Sequence, residues 1–278
     1  MLVDIGVNLM SPAFDSDRQA VLETAESAGV KKFIITGSSL KNSLAASEYV
    51  TVNSLGRICM TTAGIHPHNA KDWNTTALSD LKKIILHSDN HAITIAAVGE
   101  CGLDFNRNFS TPQKQRECFE GQLALATELG KPVFLHERDA FDDFFSILKH
   151  YRPHLPGAVV HCFTGGKTEL EAYLALDCYI GITGWICDER RGSHLIPLLK
   201  QIPSDRLLLE TDSPYLLPRS LPHSMHRKSG RNEPCFLPHI ASFTASILGK
   251  TPEQIGFETS ANAERLFGGQ ICPRRASL

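Results

Sequence analysis

Val98-Gly99-Glu100-Cys101-Gly102-Leu103-Asp104-Phe105 closes an apolar run that begins at Ile93, and it sets a carboxylate, Glu100, where a buried strand is expected to end. A single glutamate after a strand is most simply a capped turn or a surface charge. Other apolar runs of this chain, however, also finish on a histidine or an acid. Val133-Phe134-Leu135 leads to His136, Ala158-Val159-Val160 to His161, and Leu207-Leu208-Leu209-Glu210-Thr211 to Asp212. Thr62-Ala63-Gly64-Ile65 leads to His66 and His68. The pattern predicts a scaffold that gathers strand ends.

Outward from this stretch, short apolar strands are expected at 2–8, 32–37, 59–65, 93–98, 132–136, 157–162, 178–183 and 206–211. Helical patterns fall between them at about 14–28, 41–52, 75–87, 112–129, 139–150, 167–177 and 189–200. Two more follow the last strand, at about 235–248 and 252–266. Gly29 and Gly130 stand where a helix stops, and Pro112 stands in a first turn. Nearly continuous apolar strands alternating with amphipathic helices indicate a parallel sheet covered on both faces. Eight such units over 278 residues favour closure into an α/β barrel of the (β/α)8 TIM type over an open sheet. No linker or low-complexity segment interrupts the chain, so one domain is expected over 1–278, with 272–278 as a flexible tail.

Composition narrows the function class. The formal net charge of −2 exerts no global pull on nucleic acid or anionic lipid, so any polyanion contact must be local. The eight cysteines include no C-x-x-C pair and several lie in apolar runs, which suits buried reduced thiols in a cytoplasmic protein. The start, Met1-Leu2-Val3-Asp4, lacks the basic segment of a signal peptide, and no apolar run approaches the roughly 20 residues of a membrane span. Ala276-Ser277-Leu278 lacks the basic middle residue of a peroxisomal address.

In a barrel of this kind the loops after the strands share one face, where chemistry sits. Glu100, His136, His161, Asp212, His66 and His68 would then converge, and imidazoles mixed with carboxylates suit Zn²⁺, Mn²⁺ or Mg²⁺. Each residue alone has a plainer reading: a hydrogen-bonded packing histidine, or for Asp212 an Asx-turn before Pro214. His87 and His91 read as a solvated helix end. Gly165-Gly166-Lys167-Thr168 has the look of a P-loop tail, but His161 stands at the motif's first glycine. Neither H-E-x-x-H nor G-x-S-x-G occurs.

Five blocks together resemble the TatD family of metal-dependent deoxyribonucleases. They are Gly64-Ile65-His66-Pro67-His68, Val98 to Asp104, Leu135-His136-Glu137-Arg138-Asp139-Ala140, His161-Cys162-Phe163-Thr164-Gly165 and Leu209-Glu210-Thr211-Asp212-Ser213-Pro214-Tyr215. Arg231-Asn232-Glu233-Pro234 fits as well, and the likeness runs to about Phe267. It implies an amidohydrolase-like TIM barrel with 3′-to-5′ exonuclease activity on single-stranded DNA and RNA. By block it implies Glu100, His136 and His161 as metal ligands, Asp212 as ligand or water-activating acid, and His66 and His68 near the phosphate. One departure stands out. Most members open on a strand bearing His-x-His, and here those positions are Gly6 and Asn8. One tightly held ion is therefore expected, with a second bound weakly between Glu100, Asp212 and Asn8.

The expected reaction is phosphodiester hydrolysis by metal-activated water, with Glu100 and Asp212 as catalytic groups and Mg²⁺ as the ion in the cell, Zn²⁺ and Mn²⁺ being the other candidates. Substrate contacts are expected from Arg219, His223, His226, Arg227, Lys228 and Arg231 after the eighth strand, and from Asp188-Glu189-Arg190-Arg191 after the seventh. Phe105, Phe109, Phe163, Trp185 and Tyr215 are candidates to stack on unpaired bases. The expected partner is single-stranded DNA or RNA, with no membrane and a monomeric protein. Two rivals remain: hydrolysis of a small-molecule ester, lactone or amide by the same barrel, and a non-catalytic nucleic-acid-binding relative.

Overall fold

The computed structural model describes residues 1–90, 95–225 and 230–268. His91, His226, Arg227, Lys228, Cys272 and the expected tail lie outside the described residues. Eight parallel strands pair in chain order: β1 (Leu2–Val7), β2 (Val30–Ile35), β3 (Cys59–Ala63), β4 (Ile95–Asp104), β5 (Val133–Arg138), β6 (Ala158–Val160), β7 (Tyr179–Ile182) and β8 (Leu207–Leu209). The ring closes between β8 and β1 through a parallel bridge of Val7 with Ser213, flanked by Asp212 N–H donating to Gly6 O (2.9 Å) and Asn8 N–H to Ser213 O (2.8 Å). Buried Asp4 braces this seam, accepting from the Thr211 amide (2.9 Å) and hydroxyl (2.6 Å).

The helices are α1 (Arg18–Ser27), α2 (Leu40–Val52), α3 (Thr75–Asn90), α4 (Pro112–Leu129), α5 (Phe141–Tyr151), α6 (Lys167–Ala175), α7 (Leu195–Leu199), α8 (Leu237–Leu248) and α9 (Pro252–Phe267). Local chemistry sets their ends. Thr111 caps α4 by accepting from Lys114 N, Pro112 occupies its first turn, and Gly130 ends it in the left-handed conformation. Thr251 and Gln254 cap α9 reciprocally. Among the described residues, no helix is long and apolar enough to cross a membrane.

Alternation along the strands divides the apolar residues into two cores. Outward-facing residues such as Val98, Val133, Leu135, Val160 and Leu209 pack under the helices. Inward-facing Val3, Ile5, Ile34, Met60, Ala96, Phe134, Val159 and Leu208 fill the barrel, and Ala263, Leu266 and Phe267 of α9 join them. Asn262 fastens α9 to this end by donating to Ser204 O and Leu207 O. The C-terminal helix thus plugs the barrel opposite the strand ends.

Three elements differ from expectation. β4 does not stop near Val98 but continues to Asp104, because β5 keeps pairing with it as far as Arg138. A register shift between Val98 and Cys101 lets Glu100 face inward part-way along the strand. α1 starts late because Ser11 caps a separate 3₁₀ turn at Pro12–Phe14. α7 is cut to five residues because the Asp188 carboxylate and carbonyl take the amides of Arg190, Arg191 and Gly192, holding that segment as a turn.

Candidate metal centre and active site

Layering inside the barrel explains the site. Phe134, Val159 and Leu208 face inward in the apolar layer; two residues on, on the same face, come His136, His161 and Glu210. Two further on come Arg138 and Asp212, at the mouth of a cleft of about 1190 Å³. Glu100, His66 and His68 also line this cleft. The structure therefore brings together six of the eight site residues expected from sequence. Arg219 and Arg231 are not in the lining. Arg219 lies against Glu189 at 2.7 Å. The Arg231 guanidinium holds Asp17 and Glu233, and it lies over the Phe14 ring.

One carboxylate oxygen organises the centre. Glu100 Oε1 lies 2.8 Å from His161 Nε2, 3.0 Å from His136 Nδ1 and 3.4 Å from His66 Nε2. Burial opposes ionisation of Glu100, but the neighbouring His66 and His161 and the bonds from His136 and His161 outweigh it, holding the carboxyl well below its usual range. Burial also disfavours charge on the imidazoles. His66 stays neutral, lowered to about 4, whereas the carboxylates around His136 and His161 overcome burial and raise both. One oxygen cannot satisfy three imidazoles as a hydrogen-bond acceptor, since it has two in-plane lone pairs. A divalent cation in place of the protons shared with His136 and His161 satisfies those two imidazoles and the carboxylate, and carboxylate with imidazole is a suitable donor set for one.

Proximity alone selects His66, Glu100 and His136 as a group able to hold a metal. Tautomers select differently. His66 Nδ1 accepts the His68 amide at 3.1 Å, so the neutral ring carries its proton on Nε2, the atom facing Glu100, and has no lone pair there to give. His161 presents Nδ1 to Glu210 Oε2 at 3.3 Å, which keeps a proton on Nδ1 and frees Nε2. His136 turns Nε2 toward Asp104 Oδ2 at 3.5 Å, a carboxylate that favours the ring proton on that side and so leaves the Nδ1 lone pair turned to Glu100. Glu100, His136 and His161 therefore fit a cation, and His66 is a proton-bearing neighbour.

Asp104 and Glu210 are the residues that sequence reading left without a role. Asp104 accepts from the amides of Asn106 (3.0 Å) and Arg107 (2.9 Å) and meets His68 Nε2 at 2.7 Å, so His68 is held by a carboxylate. Glu210 was legible in principle: if Leu208 faces inward, so must the residue two positions later. Asp212 makes no Asx-turn. Among the described residues its carboxylate has one hydrogen-bond partner, Asn8 Nδ2, at 2.8 Å to Oδ1. Burial lifts the Asp212 carboxyl to about 7, with Glu100 and Glu210 adding to the rise and His161 opposing it. Asn8 turns its amide N–H to this acid.

Of the aromatic candidates, Phe109, Trp185 and Tyr215 line the cleft. Phe163 is buried and Phe105 packs against the core, so neither is placed to stack on a base. Arg107 and Arg138, which composition did not single out, also line the cleft. Among the described residues neither side chain is in an ion pair.

A family profile described as TatD related DNase matches residues 3–268. The chain belongs to the TatD family. A protein of Erwinia billingiae named 3′-5′ ssDNA/RNA exonuclease TatD is 50% identical over 266 residues, covering 96% of this chain and 98% of its own. One of Pectobacterium parmentieri with the same name is also 50% identical, over 96% and 99%. Among solved structures, a TatD homologue from Escherichia coli superposes with a TM-score of 0.84 at 26% identity, covering 96% of this chain and 97% of that one. The TatD fold, eight parallel strands in a nearly closed barrel, is thus shared with experimentally determined relatives.

Proposed function

We propose that this TatD-family chain is a single-domain, metal-dependent exonuclease of the cytoplasm that removes nucleotides from the 3′ end of single-stranded DNA and RNA, acting as a monomer. The observation that carries the reading is one oxygen, Glu100 Oε1, within 3.0 Å of a ring nitrogen of each of two imidazoles whose other ring nitrogens face a second carboxylate. Glu100, His136 and His161 would hold the cation, Mg²⁺ in the cell. When bound, it supplies Lewis acidity that neutralises phosphoryl charge and acidifies water. Asp212 takes the proton of the attacking water on Oδ2, the oxygen that Asn8 leaves open. His66 keeps its Nε2 proton facing the same centre, a donor for a phosphoryl oxygen.

The cleft's polar and aromatic walls support a polymer with phosphates and unpaired bases. Phe109 (61% exposed) and Tyr215 (57%) are two of the three most exposed aromatic side chains among the described residues, and both line this cleft. Arg107 and Arg138 supply local positive charge on a chain of net charge −2. Base stacking is worth about 1–3 kcal/mol. Phe109→Ala or Tyr215→Ala is therefore expected to raise KM for a single-stranded oligonucleotide about 5- to 150-fold with kcat nearly unchanged. Removing Arg107 or Arg138 should flatten the salt dependence of binding by about 0.7 log units per log unit of salt for each phosphate left without its cation. Unchanged KM in all four variants would remove these residues from the substrate path.

The direct test is a time course on oligonucleotides labelled at the 5′ end, with Mg²⁺, Mn²⁺, Zn²⁺ or chelator, beside a lactone panel. A ladder shortening from the 3′ end that chelator abolishes is expected. Lactone turnover without nucleotide release, or no turnover with any cation, would overturn the reading.

A further inference from the structure

We infer that Glu210 is a positioning residue that makes His161 a metal ligand, and that Gly6 and Gly181 exist to leave it room. Glu210 is completely buried, and its two oxygens do different things. Oε1 accepts the Cys162 amide at 2.6 Å, which fixes the carboxylate in place. Oε2 faces His161 Nδ1 at 3.3 Å, which keeps the ring proton on that nitrogen and leaves Nε2 turned to Glu100. A carboxylate behind a metal-binding histidine fixes its tautomer and raises its basicity, and losing such a partner weakens metal binding about 10- to 100-fold.

The slot is made by two missing side chains. A Cβ on Gly181 would come within 2.5 Å of Glu210 Oε1. One on Gly6 would overlap Oε2 and lie in ordinary contact with Phe134, 3.4 Å from its Cζ. Neither glycine has a positive φ, so both are needed for space and not for backbone conformation. Phe134 in turn lies under the His161 ring, at 4.6 Å between centroids. Glu210 therefore fills the place where a side chain from position 6 would stand, while Asn8 directs its amide N–H at Asp212. The β1 end of the site thus holds a carboxylate beside Gly6 and an amide donor at Asn8.

The inference rests on the reading of Glu100, His136 and His161 as a metal centre, and the experiment separates the two. Mn²⁺ is titrated calorimetrically into chelator-stripped full-length protein, with folding checked by circular dichroism. Wild type is expected to bind one Mn²⁺ per chain. Glu210→Gln keeps the shape but cannot serve both partners: with its oxygen on the Cys162 amide, its NH2 faces His161 Nδ1 and drives the ring proton to Nε2. A 10- to 100-fold weaker Kd is expected, and Gly6→Ala should weaken binding too, by displacing the same carboxylate. In Glu210→Ala, adding Gly6→Ala should cost little more. Nitrogen-15 NMR of histidine-labelled wild type should show His161 protonated on Nδ1 when Mg²⁺ is bound, a readout that depends on no variant folding. Wild-type Kd in folded Glu210→Gln or Gly6→Ala, or a proton on His161 Nε2, overturns the role of Glu210. Wild-type Kd in His136→Ala would instead overturn the metal centre itself.

Discussion

Glu100→Gln is expected to strip the barrel of its cation and to lower kcat on single-stranded DNA by about 10³-fold or more. Lewis-acid stabilisation of a phosphoryl transition state is worth several kcal/mol, and each factor of ten in rate corresponds to about 1.4 kcal/mol. The amide keeps the shape of Glu100 but loses the charge at the one point where His136 and His161 converge. Cation binding must also expel the protons shared between Glu100 and these imidazoles. Because both imidazoles are raised above their ordinary value, affinity should climb as pH rises through their range and be lost below it. Calorimetry in buffers of different ionisation enthalpy counts the released protons. Undiminished Mn²⁺ affinity in Glu100→Gln, or binding with no proton release, would contradict the assignment.

Asp212→Asn should act on the other half of the reaction. A positioned base is worth about 10²- to 10⁴-fold, so kcat should fall by that range with the cation still bound. Asn8 sharpens the test. Its N–H holds Oδ1, so Asn8→Ala leaves the base present but unfixed, and a smaller loss in kcat is expected there than in Asp212→Asn. Equal kcat in wild type and Asp212→Asn, with stoichiometric metal in both, would assign the proton transfer elsewhere.

The barrel was legible because its strands are short, apolar and regularly spaced, so eight strands and their helices follow from periodicity. The strand-end residues were legible for the same reason: the face that carries Phe134 and Val159 also carries His136 and His161. Glu100 was singled out, but its place part-way along a strand was not legible, since only the register shift in β4 explains why it faces inward there. The basic rim was legible in part, since Arg191 lines the cleft. Arg219 and Arg231 sit against acids that sequence proximity does not reveal, Arg219 with Glu189 and Arg231 with Asp17 more than two hundred residues away. Arg107 and Arg138 look isolated in the sequence and reach the cleft because β4 and β5 carry them there.

The plug of α9 bears on how a polymer is handled. With Ala263, Leu266 and Phe267 sealing the far end, the barrel is a blind alley, and no strand can be threaded through it. A substrate can reach Glu100, His136 and His161 only from the strand-end face, and a released nucleotide must leave by that same face.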